Sequence, residues 1–482
     1  MQKIIPFLFF LTLMANLNAQ TFHHFLNRIN TVPDSAKAAL VDSFMSAVPG
    51  FPFIEQDTLV HYLFRGNATT VTVPGDANNW NPAAFSMSRI SGTDLWYHTH
   101  VFEPDARLDY KFVLNGGSWI LDPLNPFQVT GGFGPNSELR MPLYIPAPEI
   151  EYYPAIPHGT LFDTTFFSAA LGNSRQVSVY LPPQYYSSSD SFAVVLFHDG
   201  LEYISLANAN NVLDYLIWKQ RIRPLIAVFI PPVNRTGEYA GSLKQPFTDF
   251  VISDIFGWLD TKYRTHRRPE QRAVLGASNG GNIALWMGLT HPEIFGNIAA
   301  QSSNVQSSIS SGFRYGSQLA LKFYLDIGTY DIPVLIPLVQ NLVQILNSRG
   351  YEYRYRVYHE GHSWGNWRAH IDNALEMFFP GPVYRESGER PVADMFSLQQ
   401  NFPNPFNGTT VIPYRIKKAG SATLRIYNVT GQLVRVLVQE NQAPGEYTVS
   451  WDGRDSKGRM LPSGIFFFRF DQGEVRKMLL IK

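Results

Sequence analysis

Ser278 lies between two glycines in the pentapeptide Gly276-Ala277-Ser278-Asn279-Gly280. A serine hydroxyl is a poor nucleophile unless a base takes its proton and a third group orients that base. Glycines on either side permit a tight strand-to-helix turn, because no Cβ obstructs the close approach of backbone. The apolar run Ala273-Val274-Leu275 leads into the pentapeptide, and a helix-like segment, residues 282–289, leads out. Such a turn lifts Oγ clear of a sheet and faces the Asn279 N–H toward a developing oxyanion. The pattern alone is weak, since small-residue turns are common. Its strand and helix flanks give it weight.

The base and the acid should follow the serine in the order acid, then histidine. The strand-like run Lys322–Ile327 ends in Gly328-Thr329-Tyr330-Asp331, which puts Asp331 in a loop at a strand's end. Asp326 competes for the role of acid, but it lies inside the strand. The run Tyr353–Tyr358 leads to His359-Glu360-Gly361-His362, and His362, in the loop beside a glycine, is the better base. His359 reads as structural, and His198 precedes the serine and is out of order. The loop His198-Asp199-Gly200-Leu201 suits a second oxyanion donor, the N–H of Gly200 or Leu201, with a plain turn as the alternative. No His-Glu-x-x-His or similar ligand spacing occurs, so metal catalysis is the weaker reading and no cofactor is implied.

The elements that must position these residues follow from periodicity. Between about 158 and 382, apolar strand-like runs alternate with helix-length segments, which implies an α/β domain with a mainly parallel sheet. The C-terminal edge of such a sheet carries the ligand-binding loops, and Ser278, Asp331 and His362 all map there. From 59 to about 142 the pattern is short alternating strands, including a single strand Tyr110–Leu114 and an Asn-Gly turn at 115–116, which reads as a small all-β sandwich. One helix is expected in 20–50, opened by Pro33 and closed by Pro49-Gly50. Residues 142–157 read as a stiff proline-containing linker and 383–395 as a second linker, followed by a third, small all-β domain.

Composition bounds the function. The 482 residues are 45% hydrophobic and 16% charged, with Lys+Arg and Asp+Glu equal at 39 each, so no global field favours nucleic acid. Cysteine is absent, which excludes disulfides and thiol catalysis. Lys3, the apolar run Ile4–Met14 and Leu17-Asn18-Ala19 read as a signal peptide over 1–19, too short to span a bilayer as a helix; no later stretch is a transmembrane segment.

Several ordered motifs across 160–380 resemble the enterochelin esterase-like (esterase D type) branch of the α/β-hydrolases. They are Pro231 to Tyr239, Tyr263-Arg264-Thr265, the Gly276–Gly281 turn, Leu325-Asp326-Ile327-Gly328-Thr329 before Asp331, and Glu360-Gly361-His362 before Trp364 and Trp367. The resemblance implies a triad of Ser278, Asp331 and His362. It also implies that Arg235 and Glu238 line a substrate cleft, a surface ion pair being the alternative. Tyr239, Trp364 and Trp367, with Tyr203, are expected in an aromatic pocket. Asn279 departs from the family, whose members usually carry an apolar residue there. Val71 to Trp80, Tyr110-Lys111-Phe112 and Trp119 to Pro123 resemble a glycogen-binding type of carbohydrate-binding module, which implies sugar contacts by Trp80, Lys111 and Trp119. Phe396 to Asn407, Trp451 to Asp455, Leu461 to Phe466 and the terminal run Lys477–Lys482 resemble the type A sorting domain of the type IX secretion system.

The expected organisation is therefore a signal peptide at 1–19, a helical segment at 20–54, a β-sandwich at 55–145, an α/β-hydrolase domain at 146–382, a linker at 383–395 and a sorting domain at 396–482. The fold class is an α/β-hydrolase flanked by two small all-β, immunoglobulin-like domains. The expected activity is that of a secreted serine carboxylic-ester hydrolase of a Gram-negative bacterium, acting through an acyl-enzyme on acyl or feruloyl esters of polysaccharides, with the type IX machinery as partner. The alternatives are a catecholate siderophore esterase, an acyltransferase and a binding protein that has lost activity.

Overall fold

In the computed structural model, the described residues are 21–382, 396–416, 420–428, 433–470 and 475–481. The expected signal peptide and the linker at 383–395 lie outside them.

Eight strands organise the central domain: β1 (Thr160–Ser168), β2 (Asn173–Leu181), β3 (Ala193–His198), β4 (Leu225–Ile230), β5 (Arg272–Ala277), β6 (Asn297–Gln301), β7 (Lys322–Tyr330) and β8 (Glu352–Gly361). Their order in the sheet is β1-β2-β4-β3-β5-β6-β7-β8. β3 to β8 are mutually parallel, and β1-β2 is an antiparallel hairpin set antiparallel against β4. In β3, Val194 and Leu196 face one buried cluster while Val195 and Phe197 face the other, so the strand is apolar on both sides. That is why the parallel strands read as continuous apolar runs. The β1-β2 hairpin escapes that reading because β1 is mostly exposed and mixes Thr160, Asp163, Thr164 and Thr165 with its apolar residues. This is the α/β-hydrolase arrangement.

The N-terminal β-unit is more closely joined to this domain than the sequence pattern implies. Strands Arg107–Tyr110, Gly134–Arg140 and Gln128–Gly131 continue the central sheet beyond β8, with Glu360 paired to Arg107 in parallel. A second, four-stranded antiparallel sheet is built from Phe53–Glu55, Leu59–Arg65, Leu95–Val101 and Ser88–Arg89. Val60, Tyr62 and Phe64 pack inward against Leu108, Tyr110 and Phe112. The expected single strand Tyr110–Leu114 is broken at Lys111. Arg107–Tyr110 joins the large sheet, while Phe112–Leu114 pairs with Ser118–Ile120 across the Asn115-Gly116 turn, whose two residues both have positive φ.

Residues 20–50 form two helices and not one. Phe22–Ile29 is capped by the Thr21 hydroxyl accepting from the His24 N–H, and Asp34–Ala47 follows Pro33. Both cover the outer face of the four-stranded sheet, with Phe22, Phe25 and Phe44 packed in one cluster with Phe53, Leu63 and Leu95 of its strands. The proline-containing stretch 142–157 is not a free spacer either. Glu149 is buried and the Ile150 carbonyl accepts from Asn208 and Asn211 of the central domain. The C-terminal β-unit has its own three- and four-stranded sheets around Trp451, Phe468, Phe470 and Ile412. Among the described residues, no helix is long and apolar enough to cross a membrane.

Candidate active site

Ser278 joins β5 to the helix Asn279–Thr290 with φ 58° and ψ −121°, a left-handed conformation that a non-glycine residue adopts only under constraint. Three backbone hydrogen bonds hold it. Its N–H donates to the Gln301 carbonyl at 2.8 Å, and its own carbonyl accepts from Asn282 and Asn304. A Cβ on Gly276 would meet the Gly280 backbone at 2.4 Å, so the strand and the helix start come closer than any side chain allows. The helix begins at Asn279, whose N–H has no intrahelical partner. The Asn279 side chain accepts from Asn304 Nδ2 at 2.9 Å, which ties the turn to the loop after β6.

Asp331, just past β7, and His362, just past β8, meet at the same sheet edge. His362 Nδ1–H donates to Asp331 Oδ1 at 2.7 Å; the carboxylate side chain is fully buried and the imidazole 18% exposed. The Ile332 N–H also donates to Oδ1, and Oδ2 is buried without a partner among the described residues. Ser278 and His362 both open on one cavity of about 890 Å³. No hydrogen bond joins the Ser278 and His362 side chains, and such contacts commonly tighten when substrate binds.

The competing groups have other work. Asp326 accepts from Gln301 Nε2 and the Ser302 N–H, and burial pushes it up to about 6. His359 Nδ1–H donates to Asp105 of the N-terminal unit at 2.7 Å. His198 is fully buried against Tyr239 and Phe247, and burial, then the nearby Arg235 charge, hold it down to about 3.

The structure divides the other expected residues. Arg235, Trp364 and Trp367 line the cavity. Arg235 makes a bidentate pair with Asp199, both contacts at 2.8 Å, and Trp367 stands edge-on to His362 with ring centroids 5.0 Å apart. Glu238 does not line the cavity. It is wholly buried and held by Arg175, at 2.7 and 3.1 Å, and by the N–H groups of Val233 and Asn234, because a buried carboxylate needs a paired cation. Tyr239 is also buried, and its hydroxyl accepts from the Asp199 N–H, so it supports the turn and not a ligand. Tyr203 is likewise interior, donating to Gln301 Oε1. Gly200 and Leu201 open the short helix Gly200–Ser205, whose first N–H groups have no helical partner. The cavity itself is reached by Asp199 and Glu202 on either side of them.

Trp80, Lys111 and Trp119 line the same cavity as Ser278, so the surface expected to bind sugar is one wall of that cavity. Asp76, Asn79, Asp109, Asn136 and the hairpin tip Gly131-Gly132-Phe133 belong to the same wall, none of them expected there from the sequence. The Gly-Gly-Phe-Gly run was a visible turn signal, but nothing local shows what a hairpin tip will cover. Arg107 fastens the two units. Fully buried, it pairs with Asp109 at 2.7 Å and Glu138 at 2.5 Å, and donates to Ser363 Oγ, next to His362, at 3.1 Å.

Comparison with known proteins finds esterases among the relatives of this chain. Residues 168–378 match the Esterase family model, and 406–472 match that of the FlgD Ig-like domain. The iron(III) enterobactin esterase of Escherichia coli O6:H1 is 25% identical over 327 residues, covering 60% of this chain and 80% of its own length. The endo-1,4-beta-xylanase/feruloyl esterase of Xylanibacter ruminicola is 25% identical over 167 residues, 32% of this chain and 23% of that one. The crystal structure of the enterobactin esterase of Shigella flexneri superposes with a TM-score of 0.60 at 22% identity, covering 70% of this chain and 97% of that one, a likeness of fold.

Proposed function

We propose, on the premise that this chain is an esterase with an esterase-family domain, that it is a serine carboxylic-ester hydrolase working through an acyl-enzyme on Ser278. The observation that carries the reading is the 2.7 Å contact of His362 with Asp331 at the cavity that Ser278 enters from a strained turn. Ser278 Oγ attacks the ester carbonyl carbon while His362 takes its proton. Asp331 holds the Nδ1–H and stabilises the imidazolium. The oxyanion is met by the Asn279 N–H, with Gly200 or Leu201 supplying the second donor. Collapse expels the alcohol, protonated by His362. Water, deprotonated by the same imidazole, then releases the acid and frees Ser278.

For the substrate, the reading is an acyl or feruloyl ester of a polysaccharide. The signal-like residues 1–19 and the sorting-domain resemblance of 396–482 support export across the outer membrane, and the flat faces of Trp80, Trp119 and Trp364 suit ring-bearing esters. A catecholate siderophore ester is the second reading. It is favoured because the match to enterobactin esterases is long enough to need the N-terminal unit as well as the central domain, and both wall the cavity.

Kinetics with methyl ferulate, p-nitrophenyl acetate and a catecholate trilactone test the activity. Turnover of at least one, falling about 10⁴-fold or more in Ser278→Ala, is expected. No hydrolysis of any of the three sinks the reading, and transfer to a sugar acceptor in preference to water marks an acyltransferase. Export is tested by cell fractionation: a chain lacking 396–482 should stay in the periplasm, and release of the truncated chain outside the cell contradicts the proposal.

A further inference from the structure

Gln301 closes β6 at the sheet edge that carries Ser278, and none of the steps on Ser278 uses its side chain. That side chain is buried, and a buried amide costs stability unless its groups are paired. Here the partners lie on different loops of the site. The Tyr203 hydroxyl donates to Oε1 at 2.9 Å, and Tyr203 belongs to the helix Gly200–Ser205, which opens with the second oxyanion donors. Nε2 donates to the Trp367 carbonyl at 3.0 Å and to Asp326 Oδ2 at 3.2 Å. A backbone carbonyl can only accept, so the amide nitrogen must face Trp367 and the oxygen is left for Tyr203. The partners thus fix the amide in one orientation.

The main chain of the same residue holds the nucleophile, since the Ser278 N–H donates to the Gln301 carbonyl at 2.8 Å. The next residue continues the tie. Ser302 has a positive φ of 47°, its N–H donates to the Asp326 carbonyl at 3.0 Å, and its Oγ accepts from Trp367 Nε1 at 3.0 Å. Trp367 is the ring that stands edge-on to His362. Gln301 itself does not line the cavity.

We propose that Gln301 is a positioning residue for ester cleavage, its amide holding the Ser278 turn, the Gly200–Ser205 helix and the Trp367 support of His362 at fixed mutual distances. The inference rests on the esterase reading. A misplacement of about 1 Å among nucleophile, base and oxyanion donors can cost about 10²-fold in rate. Substrate binding should change little, because Gln301 stands behind the cavity wall.

Gln301→Met keeps most of the side-chain volume and removes its three hydrogen bonds. With the full-length chain and p-nitrophenyl acetate, kcat should fall about 10²-fold while KM stays within about threefold. Fluorophosphonate labelling should slow by a similar factor. Tyr203→Phe removes a single oxygen atom and should lower kcat about tenfold. In the double variant the two losses should not multiply, because Gln301→Met has already removed the acceptor of that hydroxyl. General damage to packing would multiply them. A kcat of Gln301→Met within about threefold of the unsubstituted chain, a loss carried by KM alone, or losses that multiply overturn the positioning role. If Gln301→Met does not fold, Tyr203→Phe decides, and a kcat within about twofold overturns the role. Failure of the esterase reading is seen separately, as neither hydrolysis nor labelling of the unsubstituted chain, and overturns this inference with it.

Discussion

The N-terminal and C-terminal β-units are both short antiparallel strands around a small aromatic core, but they relate to the central domain in different ways. The N-terminal unit continues the central sheet past β8, sends Arg107 to Ser363, and supplies one wall of the cavity that holds Ser278. The C-terminal unit has sheets and a core of its own, and none of its described residues lines that cavity. Fold type therefore says little about role. What assigns the role is whether polar side chains cross the boundary and which loops they hold.

The strongest way to break the contrast is Arg107→Ala. It leaves Asp109 and Glu138 buried without their cation, a loss of about 3–5 kcal/mol for a broken buried ion pair. It also frees Ser363 beside His362. Chemical unfolding should show that destabilisation together with loss of ester hydrolysis; stability and activity near those of the unsubstituted chain contradict the junction described here.

Asp76→Asn sharpens the contrast with a smaller, pH-dependent effect. The folded-state pKa of Asp76, about 8, lies above the unfolded value near 4. The unfolded chain gains by ionising it across that window while the folded chain does not, so its contribution to stability falls as pH rises from about 4 to 8 and then levels off. Asparagine removes that dependence. The melting temperature of Asp76→Asn relative to the unsubstituted chain should rise by about 3 °C between pH 5 and pH 8. A difference that is flat across this range contradicts the burial argument.

Removing 396–482 has the smallest expected effect on chemistry. Its kcat/KM should stay within about twofold of the full chain, as for sites with no shared partners. A larger loss would join the C-terminal unit to the catalytic apparatus and erase the contrast.

Much of the central domain was legible because its signals are local. Buried parallel strands write themselves as apolar runs, and Gly276 and Gly280 mark a close approach that only glycine tolerates. Asp331 and His362 were placed by strand ends, and they meet at the sheet edge that argument required. The misjudged residues depend on contacts distant in sequence. Glu238 is internal because Arg175, 63 positions earlier, reaches it, and Tyr239 is internal because its hydroxyl supports Asp199. Trp80, Lys111 and Trp119 line one cavity, and what they face there is set by how Gly361 packs on Asp76 and how β8 pairs with Arg107. The helix Phe22–Ile29 could have been found, since Thr21 caps it and Phe22, Phe25 and Ile29 share one face.

The central claim is that Ser278 is an activated nucleophile at a cavity shared by two units. Fluorophosphonate labelling of the intact protein, with mass-spectrometric mapping of the adduct, tests it directly. One adduct on Ser278 is expected, lost in Ser278→Ala and strongly slowed in His362→Ala. An unlabelled protein, or an adduct on another residue that persists in Ser278→Ala, contradicts it.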